Sequence, residues 1–557
     1  MLWYEAIQQT GGYECDKTPI HDMKKRSDGS IVLSFTTSSD MDWLSFLKND
    51  VAFSSPILNK SYGVQLHIVC LSPESKLLWL QTIYYSPSTP NYYQPYSKLA
   101  ILPNGSVTVL TYFSRWVSIG NDTLRTDDFD GVAGFSFSPV GKLTRLKQFT
   151  DTWHMNFEQL SIDSAGTLYA AGKYFQYSMN WDGINIRSNL SPSYFLAKID
   201  STLTTQWIRS FNMWNDNYGE LTGLAYNTTN NTISLIISEG TYSTSSSCEY
   251  KKWRLGYHVW DTDGNQLFSG DIATSTDLMV GGSLAIDSYG NALVAGRYRG
   301  TLTSNELSVT SPPSAGCSLT NSFVLRLIAD HTCMTLKTFP HSNLHSYQTI
   351  MATDHGGYCL GGVALFSESR DTWIGNPYPN GKIRTILSKY NYHDELLFYR
   401  EFSKRYPDGD DGAERNYIQI LPYTDSVMVV ADMCEGKYDT LAMSPLGAAN
   451  SNGYSTVNVF ALRWNATPTV PKSESSNWRV GIENDGSGIW IYNAPTISSY
   501  SYSVYNILGQ HISSGENLNA NVTQRHQVDL REYPSAGYVL RVRSGSLVQE
   551  IPFVLVR

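Results

Sequence analysis

The acidic run PDGDDGAER carries the densest set of side chains with metal-binding chemistry. Glycines separate its four carboxylates: Asp408, Asp410, Asp411 and Glu414. Carboxylates that alternate with glycine at a tight turn suit Ca²⁺, although this spacing departs from that of an EF-hand loop. The run predicts either a calcium site or a hydrated acidic turn. A second acidic group has the same two interpretations: Asp127, Asp128 and Asp130.

Aromatic rings in predicted loops and at strand ends are the candidates for ligand binding. The set is Tyr92, Tyr93, Trp116, Trp153, Trp181, Trp214 and Trp373. A planar ring at such a position stacks on a sugar or holds a peptide. Packing inside the protein is the other common place for a tryptophan, so both roles stay open. Trp79 and Trp207 fall in predicted fourth strands of a repeat, and we expect them in the core.

No familiar catalytic motif accompanies these residues. The sequence contains no Gly-x-Ser-x-Gly elbow, no phosphate-binding glycine loop and no HExxH pair. His341 and His345 lie in a predicted loop without a carboxylate partner, so they do not complete a metal site. The seven cysteines show no metal-binding spacing, and Cys70 and Cys359 lie in apolar strand patterns that predict buried thiols. No catalytic residue is therefore assigned, and calcium is the one cofactor considered.

The composition favours a folded all-β chain. Of 557 residues, 13% are aromatic and 16% are charged, and the 42 glycines suit short strands and tight turns. The net charge is −9 and the basic residues are scattered, so neither nucleic acid nor an anionic membrane is an expected partner. No apolar run is long enough for a spanning helix. The first residues lack a basic and apolar leader, so we expect a trimmed signal or a protein that is not exported.

An internal repeat organises most of the chain. Its clearest copies are IDSAGTLYAAGKY at 162–174 and IDSYGNALVAGRY at 286–298, and five weaker copies begin at 26, 102, 226, 353 and 422. Each copy predicts two strands around a turn, then a polar variable loop, then two more strands, the last often containing Trp. Such a four-stranded unit has the size of a propeller blade. The expected turn glycines are Gly29, Gly105, Gly166, Gly290 and Gly357.

The two ends of the repeat region predict how a ring would close. The seventh copy reaches its third strand at 459–464 and then lacks a Trp-containing fourth strand. Residues 2–7 have the character of a fourth strand and precede the first copy. Pairing them with the last unit would remove exposed sheet edges. We therefore expect a seven-bladed β-propeller over residues 1–467, closed by an N-terminal strand.

The repeat resembles that of the bacterial β-propeller repeat family. The matching features are an Asp-x-x-Gly turn, a strand ending near Gly, a Phe-x-x-Lys-x-Asp strand and a strand with Trp, and the third and fifth copies match best. In the fourth copy the turn glycine is lost at Asn230 and Asn231. The resemblance covers roughly residues 1–467 and implies a propeller.

The last part of the chain predicts a separate small domain. Residues 468–477 are rich in Pro and Ser and indicate a linker. The short alternating segments in 478–557 favour an immunoglobulin-like β-sandwich. Two motifs, VYNILGQ and LREYPSAGYVLRV, resemble the type A C-terminal sorting domain of the type IX secretion system of Bacteroidota. The matched positions include Tyr505, Gly509, Gly537 and Tyr538.

The resemblance of the C-terminal domain implies a destination and a partner. A protein with such a domain is exported, passes the outer membrane through the type IX machinery, and reaches the cell surface or the medium. We therefore expect a secreted or surface-attached propeller that acts as a non-catalytic binding or scaffold module for a glycan or a protein. One alternative is a carbohydrate-active enzyme, a lyase or glycosidase with two carboxylates at the channel mouth. Another is a structural part of the secretion or gliding machinery.

Overall fold

The chain folds into two compact units, Met1–Thr469 and Val470–Arg557. The computed structural model describes residues 3–10, 20–38, 43–46, 51–53, 64–86, 96–126, 131–150, 155–188, 192–212, 218–242, 250–311, 321–328, 331–339, 344–353, 356–366, 382–404, 418–424, 427–434, 456–463, 480–484, 488–493, 500–506, 511–517, 526–534, 536–544 and 547–555. Every element that the structure describes is a β-strand, which confirms the predicted all-β class.

The first half of the larger unit contains nineteen of these strands. They are β1 (Trp3–Thr10), β2 (Ile20–Lys25), β3 (Ile31–Ser38), β4 (Trp43–Phe46), β5 (Val51–Phe53), β6 (Val64–Leu71), β7 (Leu77–Tyr85), β8 (Ser97–Ile101), β9 (Val107–Phe113), β10 (Trp116–Ile119), β11 (Asp122–Arg125), β12 (Gly131–Phe137), β13 (Leu143–Thr150), β14 (Met155–Ile162), β15 (Leu168–Tyr174), β16 (Ser178–Trp181), β17 (Ile184–Arg187), β18 (Ser193–Ile199) and β19 (Thr205–Asn212).

The remaining strands continue the same pattern. In the larger unit they are β20 (Tyr218–Asn227), β21 (Thr232–Tyr242), β22 (Tyr250–Asp261), β23 (Gln266–Ser275), β24 (Met279–Ile286), β25 (Ala292–Tyr298), β26 (Thr301–Ser304), β27 (Leu307–Thr310), β28 (Asn321–Leu327), β29 (Cys333–Phe339), β30 (Leu344–Ala352), β31 (Tyr358–Phe366), β32 (Lys382–Tyr390), β33 (Leu396–Lys404), β34 (Ile418–Thr424), β35 (Val427–Cys434) and β36 (Thr456–Arg463). In the smaller unit they are β37 (Val480–Asn484), β38 (Gly488–Asn493), β39 (Tyr500–Asn506), β40 (His511–Asn517), β41 (His526–Asp529), β42 (Ala536–Ser544) and β43 (Leu547–Leu555).

The larger unit contains antiparallel sheets whose four main strands follow one another along the chain, as expected for propeller blades. In chain order, the first sheet is β2-β3-β6-β7, the second β8-β9-β12-β13, the third β14-β15-β18-β19, the fourth β20-β21-β22-β23, the fifth β24-β25-β28-β29 and the sixth β30-β31-β32-β33. The seventh is β34-β35-β36-β1, and in it β1 pairs with β36 from Trp3↔Ala461 to Gln8↔Thr456. The N-terminal strand thus lies in the position that the sequence predicts for it.

The two ends of each sheet differ. Short turns join the first strand to the second and the third to the fourth at one end, which we call the turn end. The connections between the second and third strands, and from each sheet to the next, leave from the opposite end, which we call the loop end. In the third sheet, the carboxylate of Asp163 accepts hydrogen bonds from the N–H groups of Ala165 and Thr167 at 2.9 and 2.8 Å. Gly166 has a φ of 88° there, which is why glycine suits this place in the turn.

The turn of the sixth sheet corrects one predicted marker. The sequence places the turn glycine at Gly357, whereas the structure gives Gly356 the left-handed backbone, with a φ of 71°. Thr353 donates its N–H to the carbonyl of Gly357 at 2.8 Å, so Gly357 closes the turn instead of bending it. The Gly-Gly pair leaves both registers open in the sequence.

The predicted polar loops between second and third strands contain a further element that the sequence analysis missed. In four of the sheets a β-hairpin follows the second strand: β4–β5, β10–β11, β16–β17 and β26–β27. Three of these hairpins pair with the fourth strand of the preceding sheet, as β10 does with β7 at Val117↔Tyr85. An edge strand covered in this way no longer offers free backbone groups.

Side chains of the fourth strands hold neighbouring sheets together at the turn end. Trp79 Nε1 donates to the carbonyl of Pro139 at 3.1 Å, in the third-to-fourth strand turn of the next sheet. Trp207 Nε1 donates to the carbonyl of Thr262 in the equivalent place, also at 3.1 Å. Both tryptophans therefore lie in the core between sheets, as predicted. Cys70 and Cys359 are buried, which confirms the prediction for these thiols.

The smaller unit contains two antiparallel sheets. One is β37-β38-β41 and the other is β40-β39-β42-β43. Val504, Leu530 and Leu540 are fully buried in this unit. In the part of the chain that the structure describes, no helix has the length and apolar character that crossing a membrane requires.

Candidate functional site

Two of the predicted ligand-binding rings lie in the described part of the chain, and neither lies in a loop. Trp181 ends β16 and is fully buried between Phe149 and Phe195, with ring centroids 5.2 and 5.0 Å away. Its Nε1 donates to Thr205 Oγ1 at 3.1 Å, so Trp181 is a core residue and the prediction of a ligand contact is wrong for it. Trp116 begins β10, is partly buried, and belongs to the hairpin that covers the first sheet. The other rings lie outside the described residues: Tyr92, Tyr93, Trp153, Trp214 and Trp373.

The predicted calcium ligands also lie outside the described residues. This holds for Asp408, Asp410, Asp411 and Glu414, and for the weaker group Asp127, Asp128 and Asp130. Within the described part of the chain, no three His, Cys, Asp or Glu side chains are grouped so that they could hold a metal ion. The calcium site stays a prediction.

Buried ionisable side chains mark a different place, the loop end of the seam between the third and fourth sheets. Glu158 lies in β14 at a β-bulge, because the pairing with β15 shifts between Phe157 and Gln159. The N–H of Leu221 in β20 donates to Glu158 Oε2 at 3.1 Å, and Lys173 Nζ lies 3.1 Å from Oε1. A bulge re-aims a side chain, and here it directs the carboxylate across the seam.

The burial of Glu158 changes its proton affinity. Burial raises the pKa of the Glu158 carboxyl, against the lowering effect of the Lys173 ammonium, and the neighbouring Glu220 adds to the rise. Lys173 Nζ also donates to the carbonyl of Gly219 at 3.4 Å, so Lys173 joins both sheets. A carboxyl with a raised pKa in a partly enclosed polar site is a common feature of functional sites.

More charged side chains of the fourth sheet lie at the same end. Arg254 Nε donates to Glu239 Oε2 at 2.9 Å, and Arg254 Nη1 lies 3.8 Å from Asp271 Oδ2. Glu220, on β20, is exposed. Within the described part of the chain, its carboxylate has no hydrogen bond or ion pair. The seam thus holds more carboxylates than cations.

Two buried hydroxyl groups in this seam have no partner among the described residues. The Tyr194 ring is fully buried in the apolar core shared by the two sheets, where it stacks on Phe211 with centroids 5.8 Å apart. Neither the Tyr194 hydroxyl nor Thr222 Oγ1 makes a hydrogen bond. Burial raises the pKa of Tyr194, and the charges of Glu158, Glu239 and Glu220 raise it further. The phenol therefore stays protonated and keeps a donor that nothing in its surroundings uses.

A second polar cluster lies at the loop end of the seam between the first and second sheets. Asp22 accepts from Lys24 Nζ and from the N–H of Leu99, both at 2.9 Å. Burial would raise the pKa of Asp22, but Lys24 and Lys98 outweigh it and the pKa is lowered. Burial, together with the charge of Lys98, lowers the pKa of His21 to about 3. This cluster is well paired, in contrast to the seam at Glu158.

The turn end carries one buried charge of comparable size, and it is enclosed. Arg326 and Asp287 are both fully buried, with Nη1 and Oδ2 2.9 Å apart. Arg326 Nη1 also donates to the carbonyl of Gly356 at 3.0 Å, and Nη2 lies 3.6 Å from Asp394 in the sixth sheet. The guanidinium packs over the Tyr392 ring at 4.6 Å. This group joins the fifth and sixth sheets and leaves no side for a ligand.

In the smaller unit, two of the four predicted sorting-motif side chains lie on neighbouring strands. Tyr538 of β42 is buried and donates its hydroxyl to the carbonyl of Pro534 at 2.8 Å. Tyr505 of β39 lies under the Arg541 guanidinium at 5.3 Å. Gly537 pairs with Val554 in the sheet, and Gly509 lies outside the described residues. The geometry gives these tyrosines structural contacts, and their part in sorting stays a prediction.

Comparison with known proteins gives no family. No protein family and no curated protein matches the chain. Among solved structures it is similar to a Trypanosoma rangeli sialidase, with 9% identity over 83% of this chain and 86% of that one and a TM-score of 0.34. An apocarotenoid oxygenase from Synechocystis gives 7% identity, coverage of 84% and 94%, and a TM-score of 0.35.

Other similar structures are longer than this chain. A puromycin hydrolase gives 9% identity and a TM-score of 0.32 over 76% of this chain. The chain spans 60% of that hydrolase and 54% of a prolyl oligopeptidase B from Galerina marginata. At identities and TM-scores this low, none of these similarities carries an argument about this chain.

Proposed function

We propose that residues 1–467 form a closed seven-bladed β-propeller that binds a ligand at its loop end. Contacts between first strands support the ring: β2 contacts β8, β8 contacts β14, and so on through β20, β24, β30 and β34, which contacts β2 again. The pairing of β1 with β36 supports the closure, since it joins the two ends of the repeat in one sheet. In such a ring the loop ends of the sheets lie together on one face.

The observation that carries the binding role is the seam between the third and fourth sheets. There the loop end holds an exposed carboxylate, Glu220, and a buried donor, Tyr194, that nothing in the described chain uses. At the turn end, by contrast, buried polar groups are paired with each other. Loops and strand ends held on a rigid scaffold are the usual place for recognition.

We further propose that the protein is a secreted or surface-attached cargo of the type IX secretion system, with residues 478–557 as an immunoglobulin-like sorting domain. The two antiparallel sheets of the smaller unit and the hydroxyl of Tyr538, which bonds to the backbone four residues upstream, support such a sandwich. Deleting 478–557 should trap the protein in the periplasm. Normal surface delivery of the deletion variant would overturn this proposal.

A glycan and peptide array probed with the full chain tests the binding role. We expect binding without cleavage, and we expect hydrogen exchange to map the ligand to the loop ends of the strands. A blank array would contradict the binding role and leave a structural part of the secretion or gliding machinery as the role to test by copurification. Any glycan that binds should also be checked for products.

One observation favours a second candidate, a glycosidase or lyase. The raised pKa of Glu158 would let it hold a proton near neutral pH, while the exposed Glu220 on the next sheet stays ionised. A protonated and an ionised carboxyl are the pair that glycoside cleavage needs. Products released from a bound glycan, and their loss in Glu158→Gln, would move the assignment to the enzyme.

A further inference from the structure

Four residues define what we call the acidic notch: Glu158, Tyr194, Glu220 and Glu239. They come from β14 and β18 of the third sheet and from β20 and β21 of the fourth. Tyr194 pairs directly with Lys173 across β15 and β18, so both side chains stand on the same face of the third sheet. Lys173 reaches Glu158 and the carbonyl of Gly219, which shows that this face is turned toward the fourth sheet.

The charges of the notch do not balance. Lys173 is paired with Glu158 at 3.1 Å, and Arg254 is shared by Glu239 and Asp271 at 2.9 and 3.8 Å. Glu220 adds a carboxylate, so the group has two more carboxylates than cations. The chain as a whole is also acidic, with a net charge of −9, so the long-range field does not repel a cation.

The unfilled hydrogen bonds point to the same conclusion independently. The Tyr194 hydroxyl is fully buried under these carboxylates and has no partner. Thr222 Oγ1, on the bulged part of β20, is buried and unpartnered as well. Leaving a buried polar group without a hydrogen bond costs about 1–3 kcal/mol, so folded proteins keep such groups mainly where a ligand, an ion or water completes them.

We propose that the acidic notch binds a primary ammonium group, such as a lysine side chain or the amine of an amino sugar. This rests on the proposed ligand-binding role of the loop end and names the class of its ligand. An ammonium carries three donors and one positive charge, which suits the free carboxylate of Glu220 and the edges of Glu158 and Glu239. The hydroxyl oxygens of the notch add acceptors once the ligand displaces the side chains above them.

A metal ion fits this place less well. Both oxygens of Glu158 already hold partners, and Glu239 Oε2 holds Arg254. In the described part of the chain no three metal-ligating side chains are grouped. A cation that accepts few ligands and donates hydrogen bonds therefore matches the notch better than Ca²⁺, which takes six to eight oxygens.

Titration calorimetry of the full chain with paired probes tests this proposal. The charged probes are N-acetyl-lysine methylamide and glucosamine, and their uncharged counterparts are N-acetyl-norleucine methylamide and N-acetylglucosamine. We expect heat of binding from the charged member of at least one pair and none from its counterpart. Binding by lysine alone or by glucosamine alone would tell the two sources of the ammonium apart.

Two variants locate the binding. Glu220→Gln should weaken the charged probe about tenfold, the loss expected for one charge-assisted hydrogen bond. Glu306→Gln, which removes an equally exposed carboxylate from the β26–β27 hairpin, is the matched control and should bind like the unchanged chain. Tyr194→Phe should weaken the probe while the melting temperature stays the same or rises, because a buried hydroxyl without a partner is removed.

Two results would overturn the proposal. One is equal binding of charged and uncharged probes, and the other is equal affinity of the Glu220→Gln and Glu306→Gln variants. If an array ligand maps to the loop end while the charged probes give no heat, the binding role stands and the ammonium inference fails. If the array is blank and no probe binds, both fail.

Discussion

The turn end and the loop end of the sheets treat buried polar groups in opposite ways. At the turn end, Arg326 is enclosed by Asp287, a backbone carbonyl and Asp394, and Trp79 and Trp207 each donate to the turn of the next sheet. At the loop end, Glu158 also joins two sheets, yet Tyr194 and Glu220 beside it are left without partners in the described chain. The difference teaches that one end holds the sheets together and the other is free to recognise a ligand.

The comparison presupposes a closed ring, and the largest expected effect tests that premise. Deleting residues 1–9 removes most of β1, which pairs with both β36 and β4. We expect the cooperative unfolding transition of the larger unit to be lost, because the seventh sheet then has an open edge. Calorimetry measures this, and a peptide of residues 1–12 added in trans should restore the transition. An unchanged melting curve would mean that β1 does not close the ring.

Removing the enclosed charge at the turn end should cost the most of any single substitution. Arg326→Met leaves Asp287 buried without its cation, and we expect a loss of about 3–5 kcal/mol in the free energy of unfolding. Chemical denaturation measures this loss. A change below about 1 kcal/mol would show that the turn end does not depend on this group.

Acid should destabilise the protein through the buried histidines. Burial lowers the pKa of His67 to about 3, and its ring lies between Thr37 and Thr82. The unfolded chain takes up a proton below a pKa of about 6.5 that the folded chain refuses, so stability falls as pH drops below that value.

For His67 alone the loss between pH 7 and pH 5 is about 2 kcal/mol. His67→Gln should be less stable at pH 7 but should lose about that much less on going to pH 5, as denaturation at the two pH values measures. Equal losses in the variant and the unchanged chain would rule out this source of acid sensitivity.

A smaller effect is expected from a single contact between sheets. Trp207→Phe keeps an aromatic ring but removes the donor to the carbonyl of Thr262, and we expect about 1 kcal/mol less stability. Trp116→Phe, on the edge hairpin, is the control and should change stability less. The reverse order in thermal unfolding would contradict the importance of the turn-end contacts.

The smallest effect is expected at the loop end. Tyr194→Phe removes a hydroxyl that has no hydrogen bond, so stability should be unchanged or slightly higher. A loss of about 1 kcal/mol or more in denaturation would show that the hydroxyl has a structural partner, and the two ends would then not differ as described.

Local sequence patterns predicted the turn end well and the loop end poorly. Asp163 and Gly166 are close in sequence and satisfy each other's backbone, so their turn is visible in the residues alone. The fourth-strand tryptophans and the position of β1 follow from the same repeat. The hairpins were missed because their loops are polar, although Asp182-Gly183 between alternating residues is a hairpin signal.

The charged seams could not be predicted from sequence. Glu158 meets the N–H of Leu221, which lies 63 positions further along the chain, and only the packing of two sheets brings them together. Trp181 looked like a loop residue because the strand that ends with it is short, yet the hairpin turns its ring inward. Periodicity shows which strands form and does not show which faces meet.

The most direct test of the difference between the two ends is hydrogen exchange of the full chain with its array ligand bound. We predict slower exchange at the loop ends of β14 and β20, around Glu158 and Glu220, and unchanged exchange at the turns of Asp163 and Asp287. Protection confined to those turns, with none at the loop ends, would contradict the account.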